Sequence, residues 1–344
     1  MPRCDVAVVG SGAWGTTIAA LIGRREPVAL VCRTAETARA ISGTRRHERR
    51  LPGIDLPRDL VATADASIVS AVELVVLAVP SAHLRGVVGS LAPLVPPDAD
   101  VLSLVKGIEQ GSLMRMSEVI ADAGGIDIAR VAALSGPNLA PEIARRRPAS
   151  AVVAAADLEL ARRVSARLIR RTFRLYVNPD IVGVELSGAT KNIVAIAAGA
   201  ADEIGFGDNG KAGLMTRGLA EMMRLGIAMG ANPLTYAGLA GIGDVIATCG
   251  SRLSRNHRLG EELAKGRRWS EIEATLPGVA EGAYTVVAAL ELARRHGVEM
   301  PIAREVHAAL FEGKSVMRCL IDLVSREQKD ELADFGMWLK GLSG

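Results

Sequence analysis

Apolar residues follow two rhythms along this chain. Through the first half they come in short unbroken runs: "DVAVVG" (Asp5–Gly10), "PVALVC" (Pro27–Cys32), "ELVVLAVP" (Glu73–Pro80), "DVLSLVKG" (Asp100–Gly107), "VAALSGPN" (Val131–Asn138) and "SAVVAA" (Ser150–Ala155). Runs this short, rich in β-branched residues and closed by breakers, predict strands with both faces covered. Helix-like segments lie between most of them, so the pattern predicts an α/β, mostly parallel, doubly wound sheet. "RTFRLYVNPD" (Arg171–Asp180) predicts a last edge strand, with a boundary near Pro179–Val184. From there the strand rhythm gives way to successive helices, broken at "GFGDNG", "MGANP", "AGIGD", "LPG" and "GVEMP". The division expected is an N-terminal sheet domain over residues 1–183 and an all-α C-terminal domain over 184–344. The tail "KDELADFGMWLKGLSG" is either a short amphipathic helix or a frayed end.

Composition narrows this little but excludes much. At 344 residues the chain has room for two domains. A net charge of +3 gives no global reason to expect nucleic acid, and the basic run "RRHERR" (Arg45–Arg50) reads as a solvated loop. Cys4, Cys32, Cys249 and Cys319 show no paired spacing, which predicts free thiols in a reducing compartment. The five histidines lack the spacings of a zinc site, so no metal is expected. The first strand follows the start directly, without a signal peptide, and no apolar run reaches the ~18 residues of a membrane span. The expectation is a cytoplasmic protein that neither inserts into membranes nor binds nucleic acid, and whose apolar helical half suits a homodimer.

The first turn carries chemistry. "GSGAWG" (Gly10, Ser11, Gly12, Ala13, Trp14, Gly15) follows the first strand and opens a helix. In a Rossmann-like domain the first glycine makes a tight turn, the second lets backbone approach a pyrophosphate, and the third lets helix and strand pack. The unpaired N–H groups of the helix N-terminus favour the phosphates. Roughly twenty residues on, where NAD sites commonly place an acid, stand Cys32, Arg33 and Thr34. Arg33 could pair with a 2′-phosphate or stack on adenine, or be an ordinary exposed arginine.

Other strand ends should open on the same crevice. Lys106 follows "VLSLV" and points there; "SGPN" (Ser135–Asn138) offers a turn whose N–H groups, including that of Gly136, can face a ligand. In the helical half, Asp244 and Thr248 lie one helical turn apart in "GDVIATC". Ser254 predicts a helix N-cap with Arg255 and Asn256 in the first turn, where an arginine suits only a bound anion. "PGVAEG" is another loop-to-helix junction and carries Val279 and Glu281. Most puzzling is "GVELSGATKNIVAIAAGAADEIG": a small-residue core helix with Lys191 and Asn192 in its middle. A lysine so placed must be paired or lose its proton readily, and then suits general acid/base work beside an orienting carboxylate such as Asp244.

Taken together, "GSGAWGTT", "RRLPG", "VKGIEQG", "LSGPNLAPEIA", the long stretch through "TKNIVAIAAGAADEIGFGDNGKAGLMTRGLAEM", "GLAGIGDVIATC", "SRN" and "VAEG" resemble the bacterial NAD(P)-dependent glycerol-3-phosphate dehydrogenases in order and spacing, from Val6 to about Lys329. The resemblance implies reversible hydride transfer between NAD(P)H and dihydroxyacetone phosphate, giving sn-glycerol 3-phosphate for glycerophospholipid synthesis. It implies that Lys191 is the acid/base, with Lys106 and Asp244 completing the catalytic set. It implies that Lys106, Gly136, Asn192, Asp244, Thr248, Ser254, Arg255 and Asn256 bind substrate. Cofactor contacts would fall to Gly10 through Gly15, Arg33, Lys106, Ala140, Arg255, Val279 and Glu281, with either NAD or NADP accepted. Two positions depart from the family pattern: Ala13 replaces a serine in the glycine turn, and Arg50 replaces an aromatic in "RRLPG". Ketopantoate reductases and hydroxyacid dehydrogenases share the turn and often a lysine base, but would not carry "SRN" after "GDVIATC".

Overall fold

The computed structural model describes residues 4–276 and 278–327; the tail, expected as an amphipathic helix or a frayed end, lies outside them. Strand β1 (Val6–Val9) leads into α1 (Ala13–Ile22), and β2 (Val28–Val31) into α2 (Ala35–Thr44). A small antiparallel ribbon, β3 (Arg46–His47) and β4 (Leu51–Asp55), precedes β5 (Leu60–Thr63). Then follow β6 (Leu74–Leu77), α3 (Ser81–Leu91), β7 (Asp100–Ser103), α4 (Met116–Gly124), β8 (Val131–Ser135), α5 (Ala140–Ala144), β9 (Ala149–Ala154), α6 (Leu158–Leu168) and β10 (Phe173–Asn178).

Eight of these strands form one sheet in the order β10-β9-β8-β7-β6-β1-β2-β5, parallel except where β9 turns against β8. The apolar runs behave as expected: β1, β2 and β6 are buried on both faces. Alternate residues feed opposite layers, Val6 and Val8 into one core, Ala7 and Val9 into the other. From β1 the chain winds outward through β2 and β5 on one side and through β6 and β7 on the other. The crevice between β1 and β6 is therefore the topological switch point, where such sheets bind ligands.

Three strands escape the pattern. β3 and β4 carry few apolar positions, and β5, though it begins with the apolar run Leu60–Ala62, is buried only at its two ends. The basic stretch expected to be a solvated loop is in part structural: His47 is buried, its Nε2 2.8 Å from the carbonyl of Ser11, and Leu51 and Ile54 pack with Ala13. The ribbon thus clamps the glycine-rich turn from outside.

The rest is helical. α7 (Ile181–Glu203) is followed by α8 (Gly207–Ala228), α9 (Asp244–Gly250), α10 (Arg255–Ala264), α11 (Trp269–Thr275), α12 (Glu281–His296), α13 (Pro301–Phe311) and α14 (Val316–Val324). Asp180 starts α7 by accepting the Gly183 N–H, and α7 packs against α8, α9, α10 and α12. Its small residues let these neighbours close in. A methyl on Gly199 would stand 1.9 Å from the His257 carbonyl, and one on Gly260 1.9 Å from that of Ile196. Against expectation, α7 is long and apolar enough to cross a membrane by length and composition; but 83% of its most apolar window is buried, as a helix enclosed by four others must be.

Candidate active site

At the end of β1 the three glycines meet three different demands. Gly10 sits at φ 110°, where a side chain would strike the Ala78 carbonyl at 2.6 Å. A methyl on Gly15 would overlap the Gly10 carbonyl at 2.0 Å, so it is what lets α1 lie against the turn. Gly12 faces open space, with nothing within 4 Å of a would-be Cβ. No side chain caps α1, whose first turn carries no acid. Among the described residues, the buried indole Nε1 of Trp14 has no hydrogen-bond partner. An open glycine cradle with free helix N–H groups beside it fits the pyrophosphate of a dinucleotide. Ala140 opens α5 beside this helix, its carbonyl 3.3 Å from the Thr17 hydroxyl.

Past the end of β7, Lys106 reaches toward the helical half. Its Nζ donates to the Gly136 carbonyl at 3.0 Å and to Oδ2 of Asp244 at 2.5 Å. Lys191, from the middle of α7, donates to Oδ1 of the same carboxylate at 2.9 Å and to the Thr248 hydroxyl. Thr248 in turn donates to Asp244 at 3.0 Å. The puzzle of a lysine in a core helix is resolved by this arrangement: an ammonium 6% exposed is matched by a carboxylate 1% exposed. Burial alone would raise the Asp244 carboxyl, but the two ammonium charges and their hydrogen bonds outweigh it and hold it below the usual carboxylate range. Burial pulls Lys106 down most; Asp244 pulls it up and the charge of Lys191 down, leaving it at about 8.

Behind this cluster α7, α10 and α12 are stitched by amides. Asn256 donates to Oδ1 of Asn192 at 2.9 Å and accepts the Gly282 N–H at 2.9 Å. Ser254 caps α10 by accepting the His257 N–H, leaving Arg255 as the first residue of that helix. Burial lowers the Arg255 guanidinium; the charge of Glu281 opposes this and that of Arg50 adds to it. A side chain on Gly278 would meet both guanidiniums, 3.0 Å from Arg255 and 3.7 Å from Arg50. Arg50, standing where an aromatic was expected, therefore adds positive charge to the Arg255 end of the crevice, next to Val279. Glu281 accepts the Ser81 N–H at 3.2 Å and the Ser81 hydroxyl.

Lys106, Gly136, Lys191, Asp244 and Thr248 form one cluster; Asn192, next to Lys191 on α7, is held by Asn256, and Arg255 lies near Glu281 and Arg50. Arg33 stands apart, exposed at the end of β2, while Thr34 is already engaged in capping α2. Two residues were missed. Ser81 lies in "VPSAHL", a strand end that the sequence places at the crevice without singling the serine out. Asn138 closes "SGPN"; both its amide atoms are buried without a partner among the described residues, which its sequence position did not foretell.

A dinucleotide cradle at a sheet's switch point, with a Lys–Asp–Lys cluster bridging the sheet and helical halves, defines a two-domain dehydrogenase. Residues 5–161 match the family model of the NAD-dependent glycerol-3-phosphate dehydrogenase N-terminus, and residues 180–320 that of its C-terminus. The chain belongs to the NAD(P)-dependent glycerol-3-phosphate dehydrogenase family. A glycerol-3-phosphate dehydrogenase [NAD(P)+] of Streptomyces avermitilis is 48% identical over 94% of this chain and 97% of its own length, and that of Streptomyces coelicolor is equally similar. The crystal structure of glycerol-3-phosphate dehydrogenase from Coxiella burnetii superposes with a TM-score of 0.89 at 33% identity, covering 94% of this chain and 99% of that one.

Proposed function

We propose that this protein interconverts dihydroxyacetone phosphate and sn-glycerol 3-phosphate with NAD or NADP, using Lys191 as acid/base and no metal. The observation that carries the reading is the buried Lys191, held by Asp244 and Thr248 at the mouth of the switch-point crevice. In this division of labour residues 1–183 hold the dinucleotide, and residues 184–344 supply the substrate groups, with Lys106 reaching across.

The nicotinamide, when bound, gives or takes the hydride. Lys191 gives the proton to the carbonyl oxygen on reduction and removes it from the carbinol on oxidation. Asp244 orients both ammonium groups, and Lys106, tied to the Gly136 carbonyl, polarises the same oxygen. Arg255 and the N–H groups at the start of α10 hold the phosphate, where guanidinium, amide and helix dipole act together. Asn256 is fixed by Asn192, and Ser254 sets the helix start. Gly10 through Gly15, Arg33, Ala140, Val279 and Glu281 line the dinucleotide. The product would serve glycerophospholipid synthesis in the cytoplasm, and the functional unit would be a homodimer.

The test is a steady-state assay with NADH and NADPH, using dihydroxyacetone phosphate and unphosphorylated dihydroxyacetone side by side. The expected result is turnover of the phosphorylated substrate with both cofactors. Arg255→Ala should raise its KM far more than that of cofactor. Equal use of dihydroxyacetone by the wild type would remove the phosphate site.

A further inference from the structure

Ser81 and Glu281 lie 200 residues apart, at the first positions of α3 and α12. Neither helix is capped by a side chain of its own N-cap residue, Pro80 or Ala280. The Glu281 carboxylate fills the gap for α3 by accepting the Ser81 N–H and hydroxyl, while lying on the first turn of α12. One carboxylate thus sits between two positive helix ends, one from each half of the molecule. The contact stands at the carboxyl end of β6, on the edge of the switch-point crevice. It also borders the lysine cluster: a methyl on Gly107, next to Lys106, would stand 2.6 Å from Cβ of Ser81.

We propose that Ser81 is a positioning residue for the dinucleotide: it fixes the Glu281 carboxylate across the crevice, and the affinity for NAD(P)H depends on that fixation. This rests on the dinucleotide reading above. Burial raises the Glu281 carboxyl most strongly, and the two Ser81 bonds are the leading effect that lowers it again. The other titratable groups facing it are Arg255 of α10 and His83 of α3, with Tyr284 on its own helix. Losing the Ser81 hydroxyl leaves the carboxylate held by the backbone N–H alone, which loosens it and lets it take up a proton at higher pH.

The test is NADPH binding by fluorescence titration between pH 5 and 8, with no substrate present. Ser81→Ala should weaken binding about tenfold, as loss of a hydrogen bond to a charged group does. The pH below which affinity falls should move upward, and Ser81→Thr should restore both. In a Glu281→Ala background, which removes the acceptor, Ser81→Ala should have no further effect, because Ser81 acts only through that side chain. Additive losses in the double variant, or wild-type Kd and pH profile in a folded Ser81→Ala, would overturn the proposal. Should Ser81→Ala fail to fold, a Ser81→Thr variant with wild-type affinity beside a Glu281→Ala variant equally unaffected would overturn it as well. A wild type that binds neither NADPH nor NADH would instead remove the dinucleotide reading itself.

Discussion

Lys191 donates to Oδ1 of Asp244 across 2.9 Å, leaving Oδ2 to Lys106 on the other side of the crevice. Two ammonium groups from different domains thus share one buried carboxylate. Lys191→Ala keeps the Lys106–Asp244 pair, so the protein should fold and bind NADPH. Its kcat should fall about 10²–10⁴-fold, the usual worth of general acid/base catalysis. A folded variant with near wild-type kcat would show that the proton moves elsewhere.

The same sharing sets a pH dependence. Lys106 is pulled down to about 8, so it is charged below that pH and neutral above it. The kcat/KM for dihydroxyacetone phosphate should fall as pH rises through about 8, when the crevice loses a positive charge. Because the lysines are coupled through Asp244, the limb belongs to the cluster. Asp244→Asn removes the charge that lifts Lys106, so the limb should move to lower pH in that variant's residual activity. An unchanged limb in Asp244→Asn would assign the titration to another group.

How far the sequence reveals this site depends on distance along the chain. β1, β2 and β6 are legible because a strand covered on both faces leaves an unbroken apolar run, and the glycine turn because its spacing is local. β3 and β4 are hidden among arginines: only His47, Leu51 and Ile54 there are buried, and no periodicity survives so few positions. Lys106 and Asp244 are 138 residues apart and Ser81 and Glu281 200. No spacing rule joins them. Lys106, Lys191 and Asp244 were reached through motif resemblance together with the cost of burying a charge. Ser81, an ordinary helix start, offered neither signal.

Cofactor choice turns on Arg33. It is exposed at the end of β2, and Glu36, in the first turn of α2, is exposed as well. With no acid on that strand end, a 2′-phosphate meets no repulsion, and both NADH and NADPH should be used. Arg33→Ala should raise KM for NADPH by a few-fold, the modest effect of an exposed ion pair, and leave KM for NADH nearly unchanged. Equal effects on both would mean that Arg33 packs on the shared adenine.

Away from the site, Glu221 on α8 holds the start of α13, accepting the N–H of Ile302 at 2.6 Å and of Ala303 at 3.2 Å. It is 3% exposed, and burial pushes its carboxyl from the ordinary 4.5 up to about 7. The two N–H groups and the charges of Arg224 and Arg326 only partly oppose this. A carboxyl raised in the folded state binds its proton more tightly there than in the unfolded chain. Between about 4.5 and 7 the folded protein therefore holds the extra proton, and stability falls as pH rises through that window, levelling above it. At 1.36 kcal/mol per pKa unit the fall is about 3 kcal/mol. Glu221→Gln cannot titrate, so its melting temperature should lack this slope: the wild type should lose ground to the variant steadily from pH 5 to 7 and then run parallel to it. Thermal melts that run parallel across the whole range would show that Glu221 is ionised throughout, held by the start of α13 more strongly than burial opposes it.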